Sequence, residues 1–291
     1  MFDKALERGK LIVDGLLRSP AILPGLLSVG ILLGAGSAAR AGAVDRLYVF
    51  DCGWAHAADQ SLWSPGVNVG VPIDLSDNCY LIHHTSEGYL LWDTGIGDSV
   101  ASLPDGLVVR ALKETWHRAQ SLTAALAAIG VKPEDIRYVG VSHAHPDHTG
   151  NIDEFPNVTV IIQKTEWDAA KTLPPAFSFS PDHKMQLVEG DKDLFGDGSL
   201  TLLSTPGHTP GHQSLLVHLP KTGYVVLSGD VVHFQSNWEN RRVPAFNSDK
   251  AQSAASMEKI ERIVEEKHAQ FWINHDKLSS DARLHAPDFY E

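Results

Sequence analysis

The sequence predicts a mixed α/β domain over residues 44–291, and three observations carry that prediction. Short apolar runs with strand character recur along it, amphipathic stretches of helical spacing lie between them, and several of the strand-like runs end on histidine or aspartate. No low-complexity tract or linker interrupts these residues, so they read as one domain.

Taken in order, Leu47-Tyr48-Val49-Phe50 reads as a strand, Asn78 to His83 as another, and Gly88 to Gly95 as a third that ends on Asp93 and a glycine turn. Between the first two, Trp54 to Pro72 reads as a long Trp-, Pro- and Gly-containing loop, of the kind that covers a site or an interface. Ser121 to Ile129 has helical spacing at Leu122, Ala125, Leu126 and Ile129, and Gly130 stops it. Val131 to Asp135 then turns the chain into an apolar strand, 136–141. Val158 to Ile162 is a β-branched strand, a short helix follows from Thr165, and 171–185 reads as loop.

In the second half, Leu200 to Leu203 is a strand, and Ser214–Val217 with Tyr224–Leu227 reads as a hairpin. A helix is expected from Lys250 to Lys267, with Asp249 at its start and Ala254, Met257, Ile260, Ile263 and Val264 on one face. Phe271-Trp272-Ile273 is the last strand.

The bulk properties limit the function classes. Hydrophobic residues make up 43% and charged residues 21% of the chain, enough apolar material for a substantial core. The 36 acidic and 24 basic residues leave a formal net charge of −12, which argues against a nucleic-acid partner. Two cysteines, Cys52 and Cys79, cannot make a disulfide framework, and neither has a second cysteine at zinc-ligand spacing. Cys79 sits in an apolar run and is expected as a buried free thiol; a Cys52–Cys79 bridge stays open if the protein is exported.

Residues 1–43 differ from the rest. Arg18 precedes an apolar run from Ala21 to Gly36 that is short for a membrane span and broken by Pro24, and Ala39-Arg40-Ala41 fits a small-x-small cleavage site. A secretory signal is one reading, placing the mature protein in the periplasm or outside the cell. The other is an amphipathic helix (Leu6, Leu11, Ile12, Leu16, Leu17) in a cytoplasmic protein, since Asp3, Glu7 and Asp14 sit in the leading segment.

The strand at 136–141 delivers the densest chemistry in the chain. Within His143-Ala144-His145-Pro146-Asp147-His148, three imidazoles and a carboxylate occupy six residues, the ligand set of a borderline metal such as zinc. Packed this tightly, the ligands point to two adjacent ions. The theme recurs: Ser204-Thr205-Pro206-Gly207-His208 follows one strand, Ser228-Gly229-Asp230 another, and Asn274-His275-Asp276 the last. Asp93 at its strand end reads equally as a turn cap or as a carboxylate that orients a ligand histidine.

On these motifs the sequence resembles the metallo-β-lactamase superfamily and, within it, the N-acyl-homoserine lactonase-like branch. The signature H-x-H-x-D-H stands at His143 to His148, and Thr205 to Ser214, Asp230 and His275-Asp276 match the later motifs in order. The resemblance covers about 44–291 and implies a four-layer αβ/βα sandwich of two β-sheets flanked by helices. It implies two zinc ions per chain: one held by His143, His145 and His208, the other by Asp147, His148 and His275, with Asp230 bridging. His212 is expected to buttress the ligand turn rather than to ligate.

The implied chemistry is hydrolysis. Two zincs about 3.5–4 Å apart lower the pKa of a bridging water toward neutrality, and the resulting hydroxide attacks a lactone or ester carbonyl. Asp147 is expected to move the proton to the departing alkoxide. Where the branch commonly has a tyrosine, three residues after the bridging aspartate, this chain has His233, whose imidazole can hold the carbonyl. Pro146 stands where a bulky aromatic often lines the pocket. N-acyl-homoserine lactones, and hence quorum quenching, are the first substrates to test; another ester, a β-lactam or an organophosphate is the alternative. An iron-dependent redox role is a further one, which His145 disfavours. Dimers are usual in the branch, so a homodimer is open, while a stable membrane span is not expected.

Overall fold

The computed structural model describes residues 44–172 and 179–291. The N-terminal segment 1–43 and part of the loop expected at 171–185 lie outside the described residues.

Thirteen strands among the described residues form two sheets. The first contains β1 (Val44–Ala57), β2 (Ile73–His84), β3 (Gly88–Trp92), β4 (Leu107–Val109), β5 (Glu114–His117), β6 (Ile136–Gly140), β7 (Thr159–Gln163) and β8 (Lys184–Val188), in the order β4-β5-β1-β2-β3-β6-β7-β8. The second contains β9 (Lys192–Asp193), β10 (Leu200–Ser204), β11 (Gln213–Leu219), β12 (Gly223–Leu227) and β13 (Gln270–Trp272), in the order β13-β12-β11-β10-β9. The helices are α1 (Leu122–Ala128), α2 (Pro146–Thr149), α3 (Lys164–Ala170), α4 (Gln235–Glu239), α5 (Lys250–Lys267) and α6 (Lys277–Asp281).

Strand alternation explains the layering. Leu47 and Val49 of β1 meet Leu215, Val217, Val225 and Leu227 of the second sheet in a core between the sheets. The intervening Tyr48 and Phe50 point the other way, onto Leu122, Ala125 and Leu126 of α1. In the second sheet, Leu216 and Val226 turn outward onto Met257 and Ile260 of α5. The central strands of each sheet are therefore buried on both faces, which is why they read as nearly continuous apolar runs. The order helix, sheet, sheet, helix is the four-layer αβ/βα sandwich that the resemblance implies.

Several elements differ from expectation. The strand at Leu47 does not stop at Phe50: it bulges after Asp51, then pairs Trp54 to Ala57 with β2 on one side and β5 on the other. The Trp54–Pro72 loop is correspondingly shorter, because two partners satisfy a backbone that local pattern leaves unassigned. Residues 184–185 begin β8 rather than ending a loop. Helix α5 has the expected bounds, with the Asp249 carboxylate accepting from Ala251 and Gln252 N–H. Its Ala254 is exposed, however, and Ser253 and Ser256 are buried instead. The expected free thiol at Cys79 is also corrected: Cys52 and Cys79, on neighbouring strands with Cα atoms 5.7 Å apart, form the disulfide that the sequence leaves open. Antiparallel pairing of β1 and β2 brings residues 27 apart in sequence to bonding distance.

Candidate active site

Strand ends from both sheets converge on one place. β6 runs parallel to β3, and β13 parallel to β12, so the residues that follow these strands emerge at the same edge. His143, His145, His208 and Asp230 bring ligand atoms within 4.8 Å of one another, and Asp147, His148 and His275 form a second such group. All seven residues proposed as ligands from sequence are thus brought together.

The distances describe two adjoining cages. In the first, His143 Nε2 lies 2.8 Å from His145 Nδ1, His145 Nδ1 lies 3.1 Å from His208 Nε2, and Asp230 Oδ2 lies 3.2 Å from His208 Nε2 and 3.7 Å from His143 Nε2. A tetrahedral ion with bonds of about 2.05 Å needs ligand atoms roughly 3.4 Å apart, so these spacings fit one. In the second, Asp230 Oδ1 lies 3.3 Å from His148 Nε2 and 3.0 Å from His275 Nε2, and Asp147 Oδ2 is 3.9 Å from each of those nitrogens. Asp230 therefore turns one oxygen to each cage.

Two atoms test whether metal belongs here. His148 Nε2 and Asp230 Oδ1 are buried and, although 3.3 Å apart, make no well-aligned hydrogen bond. Such groups are costly unless something else binds them, and a cation between them removes the cost. Charge agrees. Burial opposes a proton on His148, yet Asp230, Asp147 and Asp93 together raise it well above its ordinary value, and His275, buried beside Asp230, rises to about 9. The carboxylates draw positive charge to this cage. Burial instead pushes His143 and His208 well below their ordinary range, leaving the neutral form that ligates.

Each ring is held from behind. Asp93, at the end of β3, accepts from His148 Nδ1 at 2.9 Å and from the Ser142 N–H at 2.7 Å. It adopts a left-handed φ of 56° to do so. His275 Nδ1 donates to the Ser76 carbonyl at 2.7 Å, and His208 Nδ1 to Asn247 Oδ1 at 3.1 Å. Such partners set the tautomer and aim the free nitrogen inward. His212 does not ligate. The Asp230 N–H donates to its Nε2 at 2.7 Å, so its proton sits on Nδ1, 3.0 Å from the Thr205 carbonyl. Burial lowers it to about 3, and it remains a neutral brace for Asp230.

Sequence reasoning missed Glu166. Its buried carboxylate accepts from the Ala144 N–H and the Gly211 N–H, both at 2.9 Å, tying the first ligand loop to the His208 turn. Gly211 has no alternative here, because a Cβ would fall 2.1 Å from the Glu166 nitrogen. Gly207, with φ 136°, likewise lets the turn press on Ser253 of α5, which explains the buried serines of that helix. A polar residue three or four positions into a helix that follows a strand carries no signal of such a role in the sequence.

The cages open into a cavity of about 620 Å³. His145, Asp147, Asp230, His233 and His275 lie at one part of its lining; Ala55, Trp63, Leu75, Ile96, Leu112, Trp116 and Phe246 make an apolar wall. Pro146 also lines it, as expected. His233 is buried, its Nε2 3.2 Å from Asp230 Oδ2, and burial pushes it below its ordinary value. Two buried carboxyls on the wall were not foreseen: Asp77 and Glu114, each pushed up to about 7 chiefly by burial.

Comparison with known proteins places the chain. The metallo-beta-lactamase superfamily profile matches residues 72–267. The N-acyl homoserine lactonase AttM of Azorhizobium caulinodans is 32% identical over 242 residues, covering 78% of this chain and 90% of that protein. Two solved structures are similar at 28% identity and 85% coverage of this chain. One is a Bacillus thuringiensis AiiA mutant with N-decanoyl-L-homoserine at the active site, 99% covered with a TM-score of 0.76. The other is an N-acyl homoserine lactone hydrolase with N-hexanoyl-L-homoserine at its catalytic metal center, also 99% covered, with a TM-score of 0.75. With its two-sheet sandwich and its strand-end ligand cages, the chain belongs to the metallo-beta-lactamase superfamily.

Proposed function

We propose that this protein is a zinc-dependent hydrolase that opens lactone rings, with N-acyl homoserine lactones the first substrates to examine. The observation that carries the reading is Asp230, which presents one oxygen to each of two ligand cages at the end of an apolar cavity. Relatives named for that reaction, and similar structures holding N-acyl-homoserines, support it.

His143, His145 and His208 would hold one ion and Asp147, His148 and His275 the other, with Asp230 shared. Bound there, the two ions supply a Lewis acid for the carbonyl and lower the pKa of the attacking water toward neutrality. Of the two carboxylates, Asp147 is the one open to the cavity, its side chain 22% exposed against 4% for Asp230. Asp147 takes the proton of the attacking water and passes it to the ring alkoxide when the C–O bond breaks. Neutral His233 carries one N–H, which its 3.2 Å approach to Asp230 Oδ2 puts on Nε2. With Asp230 shared between the ions, that N–H would be the one turned to a carbonyl oxygen in the cavity. The apolar wall takes the acyl arm and keeps water from it.

Purified protein with measured metal content should release acid from a panel of lactones in a pH-stat, in proportion to its zinc. No release from any lactone by zinc-loaded protein sinks the reading, and activity tracking iron instead replaces zinc in it.

We also propose that residues 1–41 are a secretory signal. The Cys52–Cys79 bridge supports this, since disulfides persist in oxidising compartments. N-terminal sequencing of native protein should start near Gly42; a start at Met1 refutes export by cleavage. Among the described residues no helix is long and apolar enough to cross a membrane. A homodimer would show as a doubled mass in sedimentation.

A further inference from the structure

One face of the first sheet forms much of the cavity wall. Register places Glu114 opposite Ala57, Trp116 opposite Ala55, and Ala55 opposite Leu75. Ala55, Leu75, Asp77, Glu114 and Trp116 all line the cavity. The wall is therefore apolar through its middle and carries a carboxyl at each end. Asp77 is at the metal end, where its neighbour Ser76 holds His275. Glu114 lies two strands across and about four residues along from Asp77, which puts their Cα atoms roughly 15 Å apart.

Glu114 satisfies the buried indole N–H of Trp116, but that task occupies only one of its two carboxyl oxygens. It is 5% exposed, and within the described residues it takes a single hydrogen bond, at 2.7 Å from Trp116 Nε1 to Oε2. A carboxylate oxygen can accept two, so Oε1 in particular is left to the cavity. Burying a carboxyl in a wall otherwise made by Trp63, Leu112 and Trp116 is costly unless a partner arrives, and a glutamine would accept from Trp116 Nε1 without that cost.

We propose that Glu114 is a specificity-determining residue that accepts a hydrogen bond from an O–H or N–H on the acyl arm, several bonds from the lactone. The proposal rests on the lactonase reading above and narrows its substrate class from plain alkanoyl to hydroxylated or similarly donor-bearing acyl lactones. A site built to bond a hydroxyl discriminates against the analogue that lacks it, because the buried acceptor is then left unpaired. Chains too short to reach along the wall gain nothing from Glu114.

The test compares zinc-loaded wild type, Glu114→Gln and Glu114→Leu on matched acyl lactones, plain or with one hydroxyl moved along the chain. In parallel, intrinsic tryptophan fluorescence, to which Trp63 and Trp116 of the cavity wall contribute, is titrated with the ring-opened forms, a binding readout that needs no turnover. Wild type should favour one hydroxyl position by about tenfold or more in kcat/KM and in binding. Glu114→Leu should lose that preference, and Glu114→Gln should keep part of it. Equal treatment of plain and hydroxylated arms by wild type overturns the proposal, as does a preference unchanged in both variants. If Glu114→Leu fails to fold, Glu114→Gln carries the comparison alone. If wild type opens no lactone yet binds the hydroxylated arm more tightly through Glu114, the lactonase reading fails and the recognition role stands.

Discussion

Asp93 Oδ2 accepts from His148 Nδ1 at 2.9 Å, which leaves His148 Nε2 facing Asp230 Oδ1 at 3.3 Å. The same carboxylate holds the Ser142 N–H, so one residue fixes both the ring and the start of the ligand loop. Replacing Asp93 by Ala should weaken metal at the His148 cage and lower kcat/KM by about 10–100-fold, the usual cost of losing such a partner. Elemental analysis beside kinetics checks it: full metal content with full activity would refute the role.

His233 stands against Asp230 and lines the cavity without belonging to either cage. His233→Phe should therefore retain both ions but lose about 10²-fold in kcat, the scale of removing one donor to a developing oxyanion. Loss of metal in this variant would make His233 a support for Asp230 instead.

Glu166 joins two ligand loops through two charge-assisted hydrogen bonds. Glu166→Ala leaves the Ala144 and Gly211 N–H groups without that acceptor and should destabilise the protein by about 3 kcal/mol. Chemical denaturation should show the loss, and metal affinity should fall with it.

Burial raises Glu114 from 4.5 to about 7. The folded protein thus holds this proton more tightly than the unfolded chain. The resulting stability is fully present below pH 4.5 and is lost as pH rises through about 7. Glu114→Gln removes the titration while still accepting from Trp116. It should therefore be more stable than wild type at pH 8, by on the order of 3 kcal/mol, with the gap closing toward pH 5. Melting curves at the two pH values check the sign.

The Cys52–Cys79 bridge closes a loop spanning 27 residues. By loop-closure entropy it contributes about 3.5 kcal/mol, so the Cys52→Ala/Cys79→Ala double variant should melt well below the oxidised protein. Peptide mapping without reductant should recover the two cysteines in one linked fragment.

The ligands were legible in the sequence because each is a histidine or aspartate at the end of an apolar run, a local pattern. Asp93 was readable only as cap or orienting group, since nothing local says which ring it meets. Glu166 and Glu114 were invisible for the same reason: their partners are a second loop and a cavity that exist only after the sheets dock. The continuation of β1 past Asp51 was lost at the bulge, where Gly53 breaks the alternation on which a strand reading depends. Ala254 was misplaced because apolar spacing ignores buried serines that bond to the backbone, as Ser256 does to the Pro206 carbonyl at 2.7 Å.

The two cages draw on both sheets: His143, His145, Asp147 and His148 follow β6 of the first, while His208, Asp230 and His275 follow β10, β12 and β13 of the second. Any ion bound there is a rivet through the seam between the halves of the sandwich. Binding energy and docking energy are then one quantity, and chelation amounts to a selective solvent for that seam. The unfolded chain keeps His143, His145, Asp147 and His148 together but separates them from His208, Asp230 and His275, so its grip on an ion is weaker. Metal supply in the compartment where the protein folds would thus govern how much of it survives, before it governs how fast any of it works.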